Sequence, residues 1–128
     1  MEGWERVSTP SLRIREAMDK AGMKQVDLAE KTGMSKSAIS RYISGEYEPK
    51  QKALYRMGRA LDVAEMWLAG YDIPMERPAA QKENDALADL TERIRQDKDF
   101  RAIVLGMSAL NPEQLEAVRN LLKAFPQN

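Results

Sequence analysis

The apolar positions along this chain recur at helical spacing through most of its length. Ile14, Ala17, Met18 and Ala21 fall at i, i+3, i+4 and i+7, the stripe that one side of a helix turns toward a core. Thr9 and Pro10 precede them, a side-chain acceptor for an N-cap and a ring suited to the first helical position. Gly22 follows, able to take the left-handed conformation that ends a helix. A second short helix is expected from Gln25 to Thr32, with Val26, Leu28 and Ala29 apolar and Gly33 as its stop. Ser35 reads as the N-cap of a third, with Met34 and Ile39 at the two positions of a hydrophobic staple. Ala38, Ile39 and Tyr42 form its inner side, and Gly45 closes it. After a loop at 46–49, a fourth helix from about Lys50 to Leu61 carries Leu54, Met57, Ala60 and Leu61 inward. A fifth, Val63 to Ala69, buries Trp67 and Leu68 and ends at Gly70.

Residues 1–8 show no periodicity and are expected to form a loosely held arm in which Trp4 and Val7 pack locally. The segment 71–81 contains Pro74 and Pro78 with few apolar residues, which suggests a linker. Helical spacing then resumes. Leu87, Leu90 and Ile94 share one side, and Phe100, Ile103, Val104 and Met107 another. A last helix opens with four start signals: Asn111 as cap, Pro112 behind it, Gln114 completing a capping box, and the Leu110–Leu115 staple. Leu115, Val118, Leu121, Leu122 and Phe125 follow before Pro126. No stretch alternates as a half-buried strand does, so the expected class is all-α. The expected organisation is a five-helix domain over 1–70, a linker over 71–81 and a helical module over 82–128.

Composition narrows the chemistry. The 128 residues include neither Cys nor His, which removes disulfides, Cys/His zinc sites, thiol nucleophiles and imidazole acid–base catalysis. No apolar run approaches the roughly 18 residues of a membrane span, and no signal-peptide pattern opens the chain, so a soluble, cytoplasmic protein is expected. Lys plus Arg and Asp plus Glu both number 20. The charge is unevenly spread, however. Between Leu12 and Arg59 there are 11 basic and 6 acidic residues, and the rest of the chain holds 9 and 14.

The strongest functional signal is QVDLAEKTGMSKSAISRYIS, Gln25 to Ser44. Two short helices meeting at a sharp angle need a small residue where their backbones approach, here Ala29. They also need a glycine where the chain takes positive φ, here Gly33. Leu28, Thr32, Met34, Ile39 and Tyr42 are the expected core positions. Lys36, Ser37, Ser40, Arg41 and Ser44 are left facing outward, all polar and mostly short.

On these residues, 12–70 resemble the helix-turn-helix repressors of the Cro/C1-type, or XRE-like, family. Gln25, Leu28-Ala29, Gly33, Ser35, Ile39-Ser40 and Ser44-Gly45 carry the resemblance. Pro49, Leu54, Ala60-Leu61, Val63 and Trp67-Leu68 extend it. It implies a five-helix, lambda-repressor-like domain that binds double-stranded DNA operators, usually as a dimer. The third helix becomes the recognition helix, lying in the major groove. Lys36 and Arg41 become donors to guanine O6 and N7, Ser37 and Ser40 partners of bases or phosphate, and Ser44 a further polar position of that side. Gln25 would reach a phosphate, and Lys50 and Lys52 would neutralise more of the backbone. Lys24 replaces the Ser or Thr cap common in the family, which weakens the expected start of the second helix. Glu46 and Glu48 place negative charge where phosphates should lie. Tyr47 either covers the domain edge or meets a phosphate.

About 45 residues after Gln81 cannot bury much surface alone. Leu87, Leu90, Ile94, Leu115, Val118, Leu121, Leu122 and Phe125 are therefore expected to serve self-association; the simpler possibility is that they cap the N-terminal domain. The expected function is a phage-type or bacterial transcriptional repressor that binds a near-palindromic operator as a homodimer. It is not an enzyme and needs no cofactor or metal. The self-cleaving domains of some longer repressors are larger and β-rich, unlike the helical pattern here. Two alternatives use the same fold: the antitoxin of a toxin–antitoxin pair, and a protein-binding adaptor.

Overall fold

The computed structural model describes residues 5–126, which carry eight helices: α1 Pro10–Ala21, α2 Gln25–Thr32, α3 Lys36–Ser44, α4 Gln51–Leu61, α5 Glu65–Leu68, α6 Ala79–Gln96, α7 Lys98–Met107 and α8 Pro112–Leu122. Trp4 lies outside the described residues. The chain divides into two units, the first ending at Glu83 and the second starting at Asn84, so the boundary falls inside α6.

In the first unit, α1 to α5 enclose one core. Ile14, Leu28, Ile39, Met57 and Leu68 are its fully buried side chains, one from each helix, and Ala17, Leu54, Leu61 and Trp67 complete it. Local chemistry sets the helix ends. Thr9 Oγ1 accepts from Leu12 N at 3.3 Å, and Gly22 ends α1 in the left-handed region. Lys24 gives α2 no side-chain cap. The Asp27 carboxylate instead accepts from Lys24 N at 3.0 Å, so α2 is anchored from its first turn. Asp62 ends α4 at φ 57°, a position that a short polar side chain tolerates better than most.

Three parts of the first unit differ from the sequence expectation. The fifth helix is only Glu65–Leu68, because Val63 pairs with Glu76 in an isolated bridge and Ala64 N donates to Met75 O at 2.9 Å. The expected linker is therefore held on the domain over its first half. Ile73 and Met75 pack on the core, Arg77 is buried, and α6 begins at Ala79. The arm is also fixed from Glu5 onward. Val7 N and Ser8 N both donate to Gly70 O, at 2.8 and 3.0 Å, and Asp72 N donates to Glu5 O at 2.9 Å.

In the second unit, Ile94, Phe100, Val104, Met107, Leu110 and Val118 are half-buried, and polar contacts complete the helix ends. Asp97 caps α7 by accepting from Phe100 N at 2.9 Å. Arg101 donates to the carbonyls of Ile94 and Arg95, at 2.8 and 2.7 Å, satisfying the end of α6. The Arg93 guanidinium lies over the Phe100 ring, 4.1 Å from its centroid. Asn111 and Gln114 exchange the two bonds of a capping box, 2.8 and 3.0 Å, at the start of α8. Among the described residues, no apolar side chain of this unit is buried.

Candidate nucleic-acid interface

The turn between α2 and α3 is built from side chains that satisfy backbone groups. Gly33 takes φ 71°, and its N–H donates to Ala29 O at 3.0 Å. The buried Thr32 hydroxyl donates to Leu28 O at 2.7 Å, and it accepts from Met34 N at 3.3 Å. Ser35 Oγ then caps α3 by accepting from Ala38 N at 3.1 Å. Ala29, buried at the crossing, is small enough for α2 and α3 to pack closely.

Ile39 fixes the rotation of α3. Its side chain is fully buried, and Tyr42 and Ile43 are half-buried against the same core. Ser11 Oγ on α1 donates to Ile43 O and locks the far end of α3. Since residues three and four apart share a helix face, the opposite side must carry Lys36, Ser37, Ser40, Arg41 and Ser44. All five are exposed. Gln25 is the exposed first residue of α2. Lys50 is the N-cap residue of α4 and Lys52 lies in its first turn, which contains no acidic residue; both lysines are exposed. The buried Pro49 holds the loop that brings α4 there.

These side chains are not equally free. The Ser44 hydroxyl donates to Arg41 O at 3.0 Å and accepts from Glu46 N at 3.3 Å, so it serves the end of α3. Arg41 lies over the Tyr47 ring, 5.2 Å from the centroid, and Tyr47 N donates to Arg41 O at 3.2 Å. Tyr47 thus supports the guanidinium of α3. Its aromatic ring six residues after Arg41 was the available sequence signal. Glu48 pairs with Arg6 of the arm, a contact no local pattern reveals. Of the expected core positions, Leu28, Thr32 and Ile39 are buried, whereas Met34 and Tyr42 are half-buried.

The second set of expected residues lies in the other unit. Leu87, Leu90, Leu115, Leu121, Leu122 and Phe125 are exposed, and Ile94 and Val118 are half-exposed. Among the described residues no group of His, Cys, Asp or Glu is arranged to hold a metal ion. No helix among them is long and apolar enough to cross a membrane.

Two short helices crossing at a glycine turn, the second with a polar exposed side, define a helix-turn-helix domain. Residues 14–68 match the family model described as Helix-turn-helix, and they lie within the stretch 12–70 that bears the Cro/C1-type resemblance. No curated protein matches the chain. Among solved structures, the DNA-binding domain of the phage P22 c2 repressor is 27% identical, with 52% of this chain and 87% of that one covered at a TM-score of 0.48. A mutant of the restriction-modification controller protein C.Esp1396I is 28% identical, covering 48% and 79%, at 0.44. A transcriptional regulator from Listeria innocua is 15% identical, covering 91% and 92%, at 0.46.

Proposed function

We propose that this protein is a DNA-binding transcriptional regulator, acting as a repressor that occupies a near-palindromic operator as a homodimer. The observation that carries the reading is the orientation of α3. Ile39 is buried, and Lys36, Ser37, Ser40 and Arg41 face solvent from a helix capped by Ser35. Lys36 and Arg41 can donate to guanine O6 and N7 in the major groove, and the serines allow close approach. Gln25, Lys50 and Lys52 contact phosphates and set the register of the domain on the duplex. Chain neutrality keeps non-specific affinity low, while the basic surplus between Leu12 and Arg59 attracts DNA to this side.

One recognition helix reads only a few base pairs, so useful specificity needs two copies on symmetric half-sites. In this reading residues 82–128 supply the self-association. Leu87, Leu90, Ile94, Leu115, Val118, Leu121, Leu122 and Phe125 offer an apolar surface that a second copy covers. Selection of bound duplexes from a random pool tests the proposal. The expected product is a near-palindrome with half-site centres about one helical turn, or a multiple, apart. A pool that shows no enrichment contradicts it.

A further inference from the structure

The Arg6 guanidinium reaches across 42 residues of sequence to the Glu48 carboxylate, in the loop that follows α3. Both side chains are exposed. The loop itself carries Glu46 and Glu48, but cations flank it: Arg41 lies on Tyr47, one residue before Glu48, and Lys50 and Lys52 follow. A groove of about 690 Å³, lined by Arg6, Ser8, Thr9, Gly45, Tyr47 and Glu48 among others, opens beside the end of α3.

We propose that Arg6 is a phosphate-binding residue of the DNA interface and that Glu48 occupies it in the free protein. A backbone phosphate of the duplex then displaces an internal carboxylate when the complex forms. The inference rests on the DNA-binding reading above and adds both a contact and a brake to it. Guanidinium binds carboxylate and phosphate with the same paired-donor geometry, so the exchange needs no new side-chain shape. A surface ion pair is weak and screened by salt, so a phosphate can replace it. The arm's backbone does not have to move. Val7 N and Ser8 N are bonded to Gly70 O and Asp72 N to Glu5 O on either side of Arg6, which leaves only the side chain to switch. Glu48, once released, has a rotatable side chain with open solvent in front of it.

Opposite signs distinguish this exchange from a simple brace between arm and loop. Fluorescence anisotropy of a labelled mixed-sequence duplex, titrated with the full chain over a salt series, reads both. Glu48→Gln should tighten binding several-fold, because no internal anion competes. Arg6→Gln should weaken it several-fold and make the slope of log affinity against log salt shallower by about 0.9. Arg6→Lys, which keeps the charge, should retain the slope. If both Arg6→Gln and Glu48→Gln weaken binding, the pair is a brace and the proposal is overturned. If neither changes binding while Arg41→Ala weakens it, the proposal is overturned and the DNA-binding reading stands. No binding by the wild-type chain at low salt overturns both.

Discussion

Gly70 and Ser8 approach so closely that a Cβ placed on Gly70 would lie 2.3 Å from the Ser8 carbonyl oxygen. Gly70 also takes φ 107°, a backbone region that side-chain-bearing residues rarely adopt. The contact fixes the arm to the end of α5, and with it Arg6. Gly70→Ala should therefore cost about 2 kcal/mol or more and lower Tm by roughly 8–16 °C. Gly106, in α7, has nothing within 4 Å of its hypothetical Cβ. Gly106→Ala should leave Tm unchanged or raise it, through better helix propensity. Thermal unfolding of the two variants side by side checks the contrast.

Arg77 is buried beneath the first unit's surface. Its Nη1 donates to Val63 O at 3.2 Å, its Nη2 lies 3.8 Å from Glu65 Oε1, and its guanidinium lies 5.7 Å from the Tyr55 ring centroid. Arg77→Ala leaves Val63 O and Glu65 without this partner, which should cost about 2–3 kcal/mol. The effect should appear as faster hydrogen exchange at Ala64 N, whose acceptor is Met75 O, two residues before Arg77 in the strap formed by residues 71–78. Unchanged stability and exchange would show that the strap is held without Arg77.

Arg41→Ala removes an exposed side chain, so the circular dichroism spectrum and Tm should stay as they are. Operator binding should weaken by about 1–3 kcal/mol, with relaxed preference at one base position. Tyr47→Ala leaves the guanidinium in place but unsupported, and should weaken binding in the same direction by less. Isothermal titration with the selected duplex and with single-base variants measures both.

Self-association gives the fourth expectation. Leu115→Asp with Leu122→Asp should convert a dimer to a monomer in light scattering at micromolar concentration. DNA binding should then weaken and lose its preference for paired half-sites. A wild-type chain that is monomeric under those conditions contradicts the dimer.

Much of the first unit was legible because its signals are local. Thr9, Ser35 and Gly33 each do in the structure what their side chains or lack of one suggested, and Asn111 does the same in the second unit. The outward side of α3 followed from Ile39 and its neighbours by periodicity alone. What escaped depends on tertiary contacts. An arginine in a proline-containing segment reads as solvated, yet Arg77 is buried because Val63 O, Glu65 and Tyr55 converge on it. The Arg6–Glu48 pair joins residues too far apart in sequence for spacing to reveal.

The most direct test of the DNA-binding reading is a heteronuclear NMR titration of the full chain with a selected duplex. The largest amide shifts should fall at residues 36–44, at Gln25 and at 47–52, while Ile14, Met57 and Leu68 stay near their free positions. Shifts confined to α6–α8, with α3 unaffected, would contradict it.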